Sequence, residues 1–298
     1  MTTILITGAS GMLGKDIVEL FSSDRAFSIF GAHRHFSHYL KNIHQLTGDL
    51  TDKDFVKHIL ETIHPEIIIY CAANVDVDNC EKEKVYTRKL HVEALEHFAS
   101  WYPEKTQFIS VSTDSVFDGQ KGNYCEEDEP VPLNYYAESK LEGEKAALQM
   151  NPSSLILRTN LYGFHVPSNR SLVEWALENL FKNRTIQGFT DVYFNPVYTK
   201  QLARIIKKCI LEIRNKGILH IGSNKYVSKY EFLINLAEVF NLSEKLIVPC
   251  RFDESSFTAK RPKNTTLNTK KQKRFGVEIP DLEKGLLELK RDYQITRE

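Results

Sequence analysis

The first fourteen residues constrain the fold of this chain more than any other stretch. A short apolar run from Ile4 to Ile6 predicts a buried strand, and it leads directly into the pattern Gly8-x-x-Gly11-x-x-Gly14. The glycines permit a tight turn, and the free N–H groups at the start of a following helix can then face a pyrophosphate. Apolar residues at helical spacing do follow. Strand, glycine turn and helix in this order predict a dinucleotide-binding fold.

The composition narrows the choice of partners. Lys+Arg and Asp+Glu both total 39 of 298 residues, so we expect neither a nucleic acid nor an anionic membrane as a partner. No apolar run approaches transmembrane length, and the chain enters its first strand without a signal peptide. The cysteines are scattered and lack the spacing of metal ligands: Cys71, Cys80, Cys125, Cys209 and Cys250. These features predict a cytoplasmic protein with reduced thiols and no metal site.

Strand-like runs alternate with amphipathic stretches along the chain, which predicts a doubly wound parallel sheet. Strands are predicted at 4–6, 27–31, 45–47, 67–73, 107–112, 154–157 and 217–222, with 67–73 central. Helices are predicted at 54–63, 85–101, 136–148, 172–181, 200–213, 230–240 and 282–289. The fold class is therefore α/β, a Rossmann-type sheet with a smaller, mixed C-terminal substrate lobe. Residues 1–160 would form the Rossmann domain, with a return to the sheet at about 196–222, and residues 161–195 and 223–298 the lobe.

A helix that follows the long loop 113–134 carries the candidate chemistry. Tyr136 and Lys140 are four residues apart and share one helix face. An ammonium beside a phenol favours the phenolate, so we expect Lys140 to lower the pKa of Tyr136 from its reference near ~10. Thr113, at the end of the preceding strand, could hydrogen-bond the same substrate oxygen. The alternative is a surface helix with an exposed lysine and a half-buried tyrosine.

Three motifs at these places resemble those of one enzyme family. They are Thr7-Gly8-Ala-Ser-Gly11-Met-Leu-Gly14, Ser112-Thr113-Asp114-Ser-Val-Phe-Asp118-Gly119 and Tyr136-Ala-Glu-Ser-Lys140-Leu-Glu-Gly-Glu. Together they resemble the extended short-chain dehydrogenase/reductase family, and within it they are most similar to the dTDP-4-dehydrorhamnose reductase branch. Residues 72–81, 157–163 and Arg261-Pro262 agree, so the likeness spans nearly the whole chain.

The resemblance implies an NAD(P)H-dependent oxidoreductase. Its reaction would be reduction of the C4 ketone of a nucleotide-linked 4-dehydro-6-deoxysugar, for deoxysugar or polysaccharide biosynthesis. Tyr136 would donate a proton to the ketone oxygen, Lys140 would hold the nicotinamide ribose, and Thr113 would orient the carbonyl. The predicted cofactor-binding residues are Gly8, Gly11, Met12, Leu13, Gly14, His33, Arg34, Asp49, Leu50, Ala72, Ala73, Tyr136 and Lys140. The predicted substrate contacts are Asn74, Asp114, Val116, Asn160 and Arg261.

The end of the second strand bears on the choice of cofactor. It carries His33 and Arg34 in place of the acidic residue that would bind an adenosine ribose 2′-OH. An arginine suits a 2′-phosphate, which favours NADPH and leaves NADH open. Both side chains could equally be solvated loop cations.

Other readings of the sequence stay open. His91 stands where many relatives have a catalytic Asn, and we favour a helix-packing histidine over a proton relay. A nucleotide-sugar dehydratase or epimerase is disfavoured because Ser115, and not Glu, follows Thr113-Asp114. A non-catalytic NADP-binding subunit, similar to a regulatory subunit of methionine adenosyltransferase, is the remaining alternative. The helix 85–101 is a candidate homodimer surface.

Overall fold

The computed structural model describes residues 1–167, 171–213, 216–253, 255 and 257–295. The strands are β1 (Thr2–Thr7), β2 (Phe27–His33), β3 (His44–Thr47), β4 (Ile67–Tyr70), β5 (Gln107–Thr113), β6 (Leu155–Thr159), β7 (Leu161–Tyr162), β8 (Ile186–Phe189), β9 (Tyr193–Phe194), β10 (Val197–Tyr198), β11 (Gly217–Ile221), β12 (Val227–Ser228) and β13 (Ile247–Cys250). The helices are α1 (Met12–Ser22), α2 (Lys53–Ile63), α3 (Val77–Lys82), α4 (Lys84–Arg88), α5 (Ala94–Ala99), α6 (Tyr135–Met150), α7 (Leu172–Phe181), α8 (Thr199–Lys208), α9 (Lys229–Phe240), α10 (Lys270–Arg274) and α11 (Leu282–Ile295).

A parallel sheet of the order β11-β6-β5-β4-β1-β2-β3 organises the described residues. The predicted α/β class is confirmed, and the most apolar predicted strand, β4, does lie at the centre. The strand order reverses direction between β1 and β4, and ligands of such sheets bind at the carboxyl ends of the strands next to that reversal. The glycine turn follows β1 at this position.

The side chains of the central strands point alternately to the two faces of the sheet, and both faces are apolar. In β1, Ile4 and Ile6 pack with α1 and α8 in one cluster, whereas Leu5 packs with α2 and α5 in the other. Successive side chains of a strand point to opposite faces, so one strand supplies both clusters. The sheet is thereby covered by helices on both sides, and its polar strand ends are left to form the site.

A third apolar cluster lies in the C-terminal half of the chain. It is built from side chains of α7, α9 and α11 and from residues of the two-residue strands β7, β9 and β10. The sequence does not predict these strands, because two residues are too few to show a period. The boundaries of the two predicted domains stay a prediction.

Two of the differences from the predicted elements lie near the site. The predicted strand 67–73 ends at Tyr70, so Cys71, Ala72 and Ala73 leave the sheet. The predicted helix 85–101 is interrupted by a π-helical segment at Lys89–Glu93, between α4 and α5. A π segment inside a helix shifts the register of its side chains and is common near functional sites. None of the helices in the described part of the chain combines the length and apolar character needed to cross a membrane.

Candidate active site

The glycine turn is shaped by backbone contacts that exclude a side chain. Gly8 has φ +65°, and a Cβ there would lie 2.9 Å from the Ala72 N and Cα atoms. A Cβ on Gly14 would lie 2.2 Å from the Gly8 carbonyl oxygen. Gly11 precedes α1 and has no side chain to cap it, so the first N–H groups of the helix are open to an anion. Only glycine fits at Gly8 and Gly14, so these contacts explain two of the three glycines in the motif.

A cleft of about 260 Å³ extends from this turn along the ends of β2, β3 and β4. Of the predicted cofactor residues, the ones that line it are Gly8, Gly11, His33, Arg34, Asp49, Leu50, Ala72 and Ala73. Leu13 instead packs in the apolar core, and Gly14 packs against the turn. The Met12 side chain is half-buried. The structure therefore brings together residues from four strand ends that are far apart in sequence.

Arg34 and His33 differ in their surroundings. Arg34 is exposed, and its Nη2 donates to the Tyr86 hydroxyl at 2.5 Å, so the two side chains lie at one end of the cleft. His33 is buried, and burial lowers its pKa, with His35 and Gln45 opposing this in part. An exposed guanidinium can meet an anion, whereas a buried neutral imidazole cannot supply a charge. Tyr86 was not predicted, because nothing in its local sequence marks it.

The candidate catalytic residues meet at the end of β5. The Thr113 hydroxyl lies near the Tyr136 phenol, where it acts to lower the pKa of Tyr136. Lys140, one turn further along α6, is buried and donates from Nζ to the Val111 carbonyl oxygen at 2.8 Å. The predicted grouping of these residues is thus present in the structure, and the alternative of an exposed lysine on a surface helix is not.

The expected effect of Lys140 on Tyr136 is wrong for this structure. Burial raises the pKa of Tyr136 to about 12, and the nearby Thr113 hydroxyl opposes this only in part. Burial lowers the pKa of Lys140 to about 8, with the Glu144 carboxylate acting in the opposite direction. Lys140 Nζ donates to a backbone carbonyl, and its charge does not offset the effect of burial on the phenol. Near pH 7 the phenol is therefore protonated and the lysine is still mostly cationic.

The start of α6 is fixed by contacts from three directions. The Asn134 side chain accepts from the Ala137 N–H at 2.9 Å as a helix cap and donates to the Lys260 carbonyl at 2.8 Å. The Tyr135 N–H donates to Glu81 at 2.7 Å. These bonds tie the first turn of the helix to α3 and to the C-terminal segment. They hold the neighbouring Tyr136 in place.

His91 lies in the π-helical segment and connects two parts of the site. Its Nε2 accepts from the Asn74 N–H at 2.9 Å, so the proton is on Nδ1, which donates to Ser139 Oγ at 2.8 Å. Ser139 in turn donates to the Tyr136 carbonyl oxygen at 2.9 Å. Burial and the Lys140 charge lower the pKa of His91 to about 3. Both ring nitrogens are used in these bonds, which favours the packing interpretation over a proton relay.

We expect His91 and His220 to make the protein sensitive to acid. Burial lowers the pKa of each to about 3, from 6.5. Below pH 6.5 the unfolded chain binds protons that the folded chain does not, so stability is complete above pH 6.5 and falls as the pH drops toward 3. Lowering the pH from 7.5 to 5.0 should reduce the unfolding free energy by ~2 kcal/mol for each histidine.

The measurement is urea unfolding of wild type and His220→Gln at pH 7.5 and 5.0. His220→Gln should flatten the pH dependence by its ~2 kcal/mol share, and exposed His58→Gln should not change it. Equal pH dependence in wild type and His220→Gln would show that the buried imidazole is not the source.

A second cavity, of about 500 Å³, lies on the C-terminal side of the site. Asn160 and Arg261, both predicted substrate contacts, line it together with the half-exposed ring of Trp175. Asp114 is buried behind this wall, where it accepts from the Asn160 amide at 2.9 Å and from the Thr265 hydroxyl at 2.5 Å. Burial raises the pKa of Asp114. The cavity combines aromatic surface with cations, as a nucleotide ligand requires.

Two predicted substrate contacts are placed differently. Val116 has no exposed surface and packs in a small apolar cluster with Phe117 and Leu141, which does not favour a substrate contact. Asn74 lies beyond β4, where its side chain donates to Asn79 at 2.8 Å. Among the described residues, no group of three or more His, Cys, Asp and Glu side chains could hold a metal ion. The cavity also contains Lys229, which the sequence did not single out.

The parallel sheet, the glycine turn and the Thr113–Tyr136–Lys140 grouping define a protein of the extended short-chain dehydrogenase/reductase class. The family model described as RmlD substrate binding domain matches residues 1–295. The chain belongs to this family.

Its relatives include both enzymes and a subunit. A dTDP-4-dehydrorhamnose reductase of Aggregatibacter actinomycetemcomitans is 32% identical over 300 residues, covering 96% of this chain and 97% of the relative. Methionine adenosyltransferase 2 subunit beta of Pongo abelii is 30% identical over 281 residues, covering 92% of this chain and 82% of the relative. The crystal structure of a dTDP-4-dehydrorhamnose reductase from Bacillus anthracis in complex with NADP superposes with a TM-score of 0.84 at 25% identity, covering 98% and 100% of the two chains.

Proposed function

We propose that this protein is an NADPH-dependent oxidoreductase that reduces the C4 ketone of a nucleotide-linked 4-dehydro-6-deoxysugar. The observation that carries the proposal is the grouping of Thr113, Tyr136 and Lys140 between the cleft at the glycine turn and an aromatic, cationic cavity. The full-length reductase relatives support the same reaction class. A hydroxyl pair with a buried lysine beside it suits proton transfer to a carbonyl oxygen.

The residues of the cleft fit a dinucleotide. The positive φ of Gly8 and the uncapped start of α1 after Gly11 leave backbone N–H groups open to a pyrophosphate, and Ala72 and Ala73 leave room for a ribose. We assign Asp49 and Leu50 to the adenine end of the cleft and Arg34 to a 2′-phosphate. NADPH, when bound, supplies the hydride for the ketone carbon.

The protein's own side chains handle the proton. Tyr136 is protonated near neutral pH and donates its hydroxyl proton to the ketone oxygen as negative charge develops there. Thr113 lies near that hydroxyl and would orient the carbonyl. Lys140 adds a buried positive charge on the same helix face and would hold the nicotinamide ribose. His91 and Ser139 hold the backbone of Tyr136 in position.

The direct test is oxidation of NADPH by the purified protein with dTDP-4-dehydrorhamnose, followed by absorbance at the nicotinamide band. A panel of other nucleoside-diphosphate-linked 4-dehydro sugars extends the test, because the base and sugar are not assigned. We expect turnover with at least one member and product reduced at C4. Absence of turnover across the whole panel would refute the proposal.

A non-catalytic role is the second candidate, because methionine adenosyltransferase 2 subunit beta is 30% identical over 92% of this chain. A regulatory subunit would bind NADP and would not oxidise NADPH with any sugar of the panel. The dehydratase alternative is less favoured, since Ser115 follows Asp114 and the Asp114 carboxylate is held by Asn160 and Thr265. The homodimer surface at 85–101 and the cytoplasmic location stay predictions.

Arg34 should set the preference for NADPH. Its guanidinium is exposed at the end of the cleft and is held toward it by Tyr86. A charge-assisted hydrogen bond contributes roughly 1.5–3 kcal/mol, so Arg34→Ala should raise the Kd for NADPH by about 10- to 100-fold. The Kd for NADH should stay within about two-fold, since NADH has no 2′-phosphate. Fluorescence titration of both cofactors measures this.

Arg25→Ala, at another exposed arginine, is the matched control and should bind both cofactors as wild type does. An equal loss of NADPH and NADH affinity in Arg34→Ala would mean that Arg34 shapes the cleft and does not read the 2′-phosphate.

A further inference from the structure

One cation in the 500 Å³ cavity has no protein partner for its charge. Two cationic side chains line the described part of this cavity, Lys229 at the start of α9 and Arg261. Arg261 has an anionic partner, since its Nη2 lies 3.1 Å from Asp78 Oδ2, although its Nη1 finds no hydrogen-bond partner among the described residues. For Lys229, the described residues provide neither a hydrogen bond nor an ion pair to its ammonium. The two cations are therefore not equivalent.

The surroundings of Lys229 hold its ammonium in place without neutralising it. Nζ lies 3.4 Å from the centre of the Phe194 ring, a cation–π contact. Asp114 attracts it electrostatically, and burial still lowers the pKa of Lys229 to about 8. At pH 7 the side chain is thus mostly protonated, partly desolvated and fixed by an aromatic ring.

Asp114 is not free to complete an ion pair. Its two carboxylate oxygens accept from the Asn160 amide at 2.9 and 3.1 Å and from the Thr265 hydroxyl at 2.5 Å. The Thr113 hydroxyl adds a longer bond at 3.3 Å. A buried carboxylate with these donors is held behind the cavity wall. Lys229 is half-buried in the cavity wall, and an anionic ligand in the cavity would offset the cost of its partial desolvation.

We propose that Lys229 Nζ binds a phosphoryl oxygen of the nucleoside diphosphate part of the substrate. The inference rests on the proposed function, in which the substrate is a nucleotide sugar. Aromatic rings of Trp175, Phe189 and Phe252 line the same cavity and offer surfaces for a base. Asn160 links the cavity to Asp114, next to Thr113, where the sugar is reduced. The diphosphate lies between base and sugar, and a lysine binds phosphate as a point charge.

The test compares binding of a nucleoside diphosphate with binding of its nucleoside. The probes are dTDP and UDP, measured by isothermal titration calorimetry, and thymidine and uridine, measured by ligand-observed NMR. Lys229→Met keeps the length of the side chain and its contact with Phe194 but removes the charge. For whichever diphosphate binds, the variant should raise the Kd by about 10- to 100-fold, which corresponds to the loss of one charge-assisted bond. Nucleoside binding should stay within about two-fold.

Two further variants control the result. Lys229→Arg keeps the charge and should retain affinity within about five-fold. Lys225→Met removes an exposed lysine that pairs with Glu283 outside the cavity, and it should bind as wild type does. NADPH affinity, unchanged in every variant, shows that the fold is intact.

Three results would overturn the assignment: diphosphate affinity of Lys229→Met within two-fold of wild type, an equal loss of nucleoside affinity, or no binding of either diphosphate by wild type. Failure of the proposed function looks different. It would leave the dependence of diphosphate binding on Lys229 intact while no sugar of the panel supported NADPH oxidation.

Discussion

Replacing Tyr136 by Phe should lower the turnover number for ketone reduction by about 10³-fold. The hydroxyl of Tyr136 is the proton donor of the proposed reaction, and the Thr113 hydroxyl lies near it. The variant removes one oxygen atom and leaves the ring, which packs edge-on against His91 at 5.8 Å between ring centres. A positioned general acid contributes typically 10²- to 10⁴-fold to a rate, so the loss should fall on kcat and much less on KM.

The neighbouring tyrosine provides a matched control. Tyr135 occupies the first position of the same helix, and its ring faces Lys84 at the surface. Tyr135→Phe should keep wild-type kcat. NADPH binding and the melting temperature of Tyr136→Phe should be those of wild type. If Tyr136→Phe retained more than about a tenth of the activity, another group would have to donate the proton.

The N-terminal half of the fold could be predicted from the sequence because its signals are local. The strand before Gly8, the glycine spacing and the helix after it lie within one short stretch of chain. The run of 67–73 is apolar enough to predict a central strand, and β4 does occupy that place. The four-residue spacing that places Tyr136 and Lys140 on one helix face also depends only on local geometry.

Contacts between distant segments could not be predicted in the same way. The Thr265 hydroxyl bonds to Asp114 across 151 positions, and Arg34 meets Tyr86 across 52. Lys229 can be recognised as a candidate ligand-binding residue only from the cavity that it lines. The direction of the Tyr136 pKa shift was wrong for a related reason, because burial depends on the whole fold, whereas the lysine four residues away is visible in the sequence.

A buried ion pair beneath the site could not be predicted from the sequence either. Glu144 and Arg158 are almost completely buried, with Arg158 Nη2 2.7 Å from Glu144 Oε2 and Nε 3.1 Å from both carboxylate oxygens. The Ser112 hydroxyl donates to the same carboxylate at 2.5 Å, and the guanidinium lies over the Phe117 ring. The network joins α6 to β5 and β6, the elements that carry Lys140 and Thr113. Its integrity therefore bears on both the fold and the site.

Glu144→Gln should destabilise the protein by about 3–5 kcal/mol, measured as the unfolding free energy in urea. The variant leaves the Arg158 charge buried without its counterion, and the desolvation of that charge is no longer offset. Replacing both partners, as Glu144→Leu with Arg158→Met, should recover most of this loss, because a buried pair contributes little beyond apolar residues of similar volume.

The exposed pair of Lys57 and Glu61, 3.8 Å apart, is the control, and Glu61→Gln should change stability by less than about 0.5 kcal/mol. A loss in Glu144→Gln as small as that of Glu61→Gln would mean that water reaches Arg158. A double variant no more stable than Glu144→Gln would instead show that the hydrogen bonds from Ser112 and Arg158 hold α6 against the sheet by their geometry.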